Sequence, residues 1–134
     1  MKNYFLTLLF IFVSFVCYGQ YNVQEYISYL GKPVPDGAVR TGRDRYAYED
    51  YIFLNTENNI VMACSVVVTS DFIHTAYRYL GVYHDYFEGN AWEYFLFSGR
   101  DIYVKDGIYA IIYEPHVRPD GKIVAQITFT MNLF

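Results

Sequence analysis

Cysteine is nearly missing from this chain. Only Cys17 and Cys64 occur among its 134 residues, and Cys17 lies in an N-terminal stretch laid out like a cleavable leader. Once that leader is gone Cys64 stands alone, no internal disulfide can form, and the fold must rest on an apolar core. HExxH, CxxC and GxSxG patterns are also absent. Their absence removes the usual sequence signals for a zinc site, a redox pair and a hydrolase nucleophile. There is no basic run either. The formal net charge is −4, and an acidic chain without clustered Lys and Arg suits neither nucleic acid nor an anionic membrane surface. The expectation is a protein partner and no cofactor.

What is present begins with the leader. Lys2 is the only charge before Glu25, Phe5–Val16 is apolar apart from Thr7 and Ser14, and Cys17-Tyr18-Gly19 sets small residues at −3 and −1 relative to Gln20. That pattern predicts a secretory signal peptide over residues 1–19. Its apolar core falls short of the ~20 residues that span a bilayer. Val16 stands where a lipoprotein signal has a small residue. The chain is therefore expected to be secreted or periplasmic, unlipidated, and without stable membrane insertion after processing. Residues 20–134 would form one domain of 115 residues with nine basic and fourteen acidic side chains, a net charge of −5. Fourteen tyrosines and seven phenylalanines follow the leader, and each can bury a large area.

Two β-branched runs organise the mature chain. Ile60–Val68 reads IVMACSVVV and Ile123–Met131 reads IVAQITFTM; each follows a polar turn, and each turn follows a short aromatic-apolar run, Tyr51–Leu54 and Tyr109–Tyr113. Alternation places Ile60, Met62, Cys64, Val66 and Val68 on one face of the first run, and Ile123, Ala125, Ile127, Phe129 and Met131 on one face of the second. A first helix is predicted from Asn22, with Glu25 completing a capping box and Gly31 ending it. A second is predicted from Ser70 or Asp71, with Ile73, Ala76, Tyr77 and Leu80 buried and Gly81 at its end. Lys32–Arg45 and Tyr83–Asn90 read as loops. Together these imply an α+β fold of two tandem helix-plus-antiparallel-sheet units packed together, over residues 20–69 and 70–134.

A helix closing in Leu80-Gly81, a loop to Asn90, then Trp92-Glu93-Tyr94 opening an antiparallel sheet resembles the β-lactamase-inhibitor-protein-like (BLIP-like) tandem-repeat fold. Small lipoproteins that help outer-membrane barrel assembly belong to the same group. The resemblance implies an exported protein that works by binding another protein. The inhibitor carries a disulfide in each repeat; this chain has none to form.

Candidate chemistry is sparse. Cys64 sits mid-strand on the apolar face, where a thiol packs as a small hydrophobe. His84, Asp85 and Glu88 lack the spacing of a metal site. Paired carboxylates such as Glu49/Asp50 and Asp101/Asp106 flank turns, with no third group to orient them. The unusual patch is aromatic and acidic: Tyr83, Asp85, Tyr86, Phe87, Glu88 and Trp92. Large aromatics beside acids in a glycine-flanked loop have the composition of a protein-binding hot spot. The competing reading is that Tyr83, Phe87 and Trp92 fold back onto the sheet as anchors. The expected function is a non-enzymatic protein-binding module, in its most concrete form an enzyme inhibitor or toxin-immunity protein. The alternatives are a structural envelope accessory domain and, further off, a small ligand-binding protein or hydrolase.

Overall fold

The computed structural model describes residues 22–133. The expected signal peptide lies outside them. In chain order the described elements are α1 (Val23–Ser28), β1 (Val39–Gly42), β2 (Arg45–Tyr48), β3 (Ile52–Glu57), β4 (Ile60–Ser70), α2 (Ile73–Gly89), β5 (Glu93–Phe97), β6 (Arg100–Lys105), β7 (Ile108–Ile112), β8 (His116–Val117) and β9 (Ile123–Thr130).

The expectation of two helix-plus-sheet units is overturned. All nine strands join one antiparallel sheet in the order β1-β2-β3-β4-β9-β7-β6-β5, with β8 paired to part of β9. The two long β-branched runs are adjacent at its centre, paired in unbroken register from Ala63↔Thr130 to Ser70↔Ile123. The fold is sheet-dominated, and only two helices, of 6 and 17 residues, accompany the strands among the described residues. The physical reason lies in β4 and β9. Each carries eight or more residues able to pair, and mutual pairing satisfies backbone groups that two separate sheets would leave as edges.

Two-residue turns set the hairpin registers. Asn58-Asn59, Ser98-Gly99 and Asp106-Gly107 all have positive φ at both positions, which matches the twist of the flanking strands. Asn, Asp, Ser and Gly tolerate that backbone; β-branched residues would not.

One face of the sheet carries the core. Ile52, Leu54, Cys64, Val66, Ala110, Ile112, Ile127 and Phe129 are buried there under α1 and α2. The expected parity of β4 holds for Cys64 and Val66 but not for Ile60 and Met62. A register shift opposite Asn55/Thr56 inserts one residue, so Val61 takes the core position at 0% exposure. A bulge re-aims every side chain before it in this way.

α1 starts at the expected cap, with the Glu25 N–H donating to Asn22 Oδ1 at 3.2 Å, but the Glu25 carboxylate accepts from Tyr29 Oη at 2.8 Å instead of completing a capping box. Val23, Tyr26 and Leu30 are buried, and Gly31 has φ 78°. Its end is tied to the sheet, since the Gly31 N–H donates to the Val61 carbonyl and the Val61 N–H to the Lys32 carbonyl, both at 2.8 Å. The segment Lys32–Arg45, read as a loop, contains the edge strand β1.

α2 departs further from expectation. It runs through Gly81 to Gly89, so Tyr83–Gly89 is helix rather than loop, with Asn90 as its C-cap. Ile73 and Tyr77, expected in the buried stripe, are 44% and 53% exposed. The stripe is instead Ala76, Tyr79, Leu80, Tyr83 and Phe87, at helical spacing. Gly81 costs a helix about 1 kcal/mol relative to Ala. Burying Tyr83 and Phe87 by continuing the helix returns several times that. Tertiary packing outweighs the stop signal.

Candidate partner-binding site

The helical form of Tyr83–Gly89 scatters the predicted site residues. A helix turns 100° per residue, so neighbours in sequence face different ways. Tyr83 and Phe87 point into the core at 1% and 0% exposure. The Phe87 ring lies 4.9 Å from that of Tyr103, 4.7 Å from Trp92, 6.3 Å from Tyr83 and 6.2 Å from Phe129, centroid to centroid. These contacts are those of anchors, not of residues presented to a partner. Trp92 is half-buried over Phe87, and its N–H is bonded back to the Phe87 carbonyl at 3.1 Å. Asp85 and Glu88 are exposed.

Tyr86 and Trp92 do meet. With Gln24, Ile27, Asn90, Lys105, Asp106 and Ile108 they line a cleft of about 180 Å³ between α1, the end of α2 and the β6–β7 turn. Gln24 Nε2 donates to Tyr86 Oη at 3.1 Å, joining the two helices across it. Asn90 Nδ2 donates to the Tyr86 carbonyl and Lys105 Nζ donates to the Asn90 carbonyl, both at 2.7 Å. These bonds hold the helix end against the turn. The cleft thus has apolar walls, from Trp92, Ile27 and Ile108, and a rim carrying an amide, an ammonium and a carboxylate. The six lining residues besides Tyr86 and Trp92 were missed because they come from α1, the end of α2 and the β6–β7 hairpin, which no single sequence window contains.

The opposite flank of α2 holds a second polar group that local spacing does not reveal. His84 Nδ1 is 2.8 Å from Tyr103 Oη, His84 Nε2 is 3.8 Å from Asp101 Oδ2, and Tyr94 Oη donates to Asp101 Oδ1 at 2.6 Å. Burial, reinforced by Glu88 and Asp101, pushes the Tyr103 hydroxyl up to about 12. Tyr103 therefore stays protonated at neutral pH and serves as a hydrogen-bonding partner rather than a nucleophile. Cys64 is fully buried, and desolvation pushes its thiol up to about 12, so thiolate chemistry is closed to it. Among the described residues no group of three or more His, Cys, Asp or Glu side chains is placed to hold a metal ion. Also among them, no helix is long and apolar enough to cross a membrane.

No family model, curated protein or solved structure matches the chain.

Proposed function

We propose that the mature chain is an exported, non-enzymatic protein-binding module, of the kind that inhibits a secreted enzyme or gives immunity to a secreted toxin. The observation that carries this reading is the cleft lined by Tyr86 and Trp92. Small-molecule sites occupy roughly 300–1,000 Å³; a cleft of about 180 Å³ is the size for one side chain of a partner. Binding energy in protein interfaces concentrates where such an anchor enters a pocket walled by aromatics. Tyr86 and Trp92 offer aromatic surface, and the rim offers an acceptor, Asp106, and a donor, Lys105, a combination suited to an anchor with an apolar body and a polar tip such as Tyr. The exposed Asp85 and Glu88 add negative potential on the same helix and favour approach of a basic surface.

An enzymatic role has less support. His84 and Asp101 adjoin each other, but the hydroxyl beside them belongs to Tyr103, whose pKa is raised.

The test uses the exported chain as bait on envelope and secreted fractions, followed by binding kinetics with whatever is captured. Tyr86→Ala and Asp106→Asn should weaken capture at least about tenfold, as hot-spot losses do, with both variants still folded, since Asn keeps the left-handed backbone of the turn. A partner that binds both variants as tightly as the wild type would refute the cleft as the site. Stoichiometric inhibition of a captured enzyme would favour the inhibitor form; co-purification with outer-membrane components alone would favour an envelope accessory role.

A further inference from the structure

The two edges of the sheet are built differently. At one end β1 is irregular: its register shifts between Arg40 and Gly42, and Arg40 Nε donates to the Gly42 carbonyl at 3.2 Å. A bulge and an edge arginine are standard protection against another strand. At the other end β5, reading Glu-Tyr-Phe-Leu-Phe, has no proline, no basic residue and no bulge. All five of its residues pair with β6 in regular register, Glu93↔Val104 to Phe97↔Arg100. Tyr94 and Leu96 are 53% and 65% exposed.

The hairpin geometry says which backbone groups are unpaired. Ser98-Gly99 is a two-residue turn with both φ positive, so the flanking Phe97↔Arg100 pair is the hydrogen-bonded kind, as are Phe95↔Ile102 and Glu93↔Val104. The N–H and C=O of Tyr94 and Leu96 therefore point away from β6, toward the edge that no other strand covers among the described residues.

We propose that β5 pairs with β5 of a second copy of this chain, antiparallel about a two-fold axis at Phe95, to give a dimer with one continuous sheet. The occupant follows from the register. Centring the axis on Phe95 sets Tyr94 opposite Leu96 of the second copy, twice, and each such pair exchanges both of its outward backbone hydrogen bonds. It also puts Glu93 opposite Phe97, so no like charges face each other. Shifting the axis by one residue either way runs a strand into Ala91 or past Ser98, which have φ 62° and 52° and cannot extend the ladder. The self-pairing that uses the whole strand is the one whose side chains match. Tyr94 is already held for it, through its bond to Asp101 and its ring 5.3 Å from that of Tyr103. An interface of two five-residue strands is at the small end of specific interfaces, so the dimer is concentration-dependent.

The experiment is sedimentation velocity on the exported chain from about 1 μM to about 1 mM, the range of weak interfaces, with amide hydrogen exchange at both ends of that range. The expected result is a reversible dimer, with exchange at Tyr94 and Leu96 slowed at least about fivefold at high concentration as those amides become bonded. Leu96→Lys should weaken dimerisation at least about tenfold, while Val39→Lys on the opposite edge and Tyr86→Ala in the cleft should not. A chain monomeric throughout, a dimer in which Tyr94 and Leu96 exchange as in the monomer, or a dimer untouched by Leu96→Lys would overturn the proposal. Because the cleft and β5 are on different flanks of α2, loss of dimerisation and loss of partner binding are read from different variants.

Discussion

Replacing Phe87 by alanine separates an anchor from an interface residue. Phe87 is wholly buried, and its ring packs on Tyr83, Trp92, Tyr103 and Phe129. Removing it forfeits about 2–3 kcal/mol of transfer free energy. A cavity then remains among rings held by three different elements, which collapse poorly around it, and the total comes to about 3–5 kcal/mol. At roughly 4 °C per kcal/mol for a domain of this size, Phe87→Ala should melt about 12–20 °C below wild type. Tyr86 is half-buried, with its hydroxyl bonded to Gln24 and its ring 5.6 Å from that of Phe87, and as alanine it should cost less, about 1–2 kcal/mol for a part-exposed hydrogen bond and part of a ring's burial. The assay is thermal unfolding followed by fluorescence of Trp92, the single tryptophan, whose indole sits 4.7 Å from the Phe87 ring. A Phe87→Ala melt within about 2 °C of wild type would show that α2 does not pack as described.

Three further outcomes are expected. Cys64 should react slowly with a thiol reagent in the native state and fast after denaturation, because burial raises its pKa to about 12; Cys64→Ser should lower stability by roughly 1–3 kcal/mol, the cost of a poorly satisfied buried hydroxyl, as measured by urea unfolding. Stability should fall as pH rises from about 9 toward about 12: Cys64 and Tyr103 keep their protons longer when folded, so the unfolded state releases protons first and alkali favours it. A flat urea midpoint between pH 8 and pH 11 would contradict that burial. Asn22→Ala should destabilise by about 0.5–2 kcal/mol through loss of the cap on α1, read as a shift in midpoint with an unchanged denaturant slope.

Much of the local structure can be read directly from the residues. Asn22, Asp106-Gly107 and the β-branched runs at Ile60 and Ile123 specify a cap, a turn and two strands through interactions within a few positions, and each of these is present. Alternation likewise identifies Ile127 and Phe129 as core residues, because period two is a property of the strand itself. Only the tertiary structure decided the rest. Gly81 reads as a helix stop, yet the sheet beneath α2 rewards continuation by burying Tyr83 and Phe87, and no local term contains that reward. With the helix prolonged, the five residues of the aromatic-acidic stretch and its neighbour Trp92 part company. Tyr83 and Phe87 enter the core, Tyr86 and Trp92 line the cleft, and Asp85 and Glu88 stay in solvent. The pairing of β4 with β9, residues some sixty positions apart, merges the expected units into one sheet, because long-range backbone pairing depends on which edges are available, and edges are a property of the assembled chain.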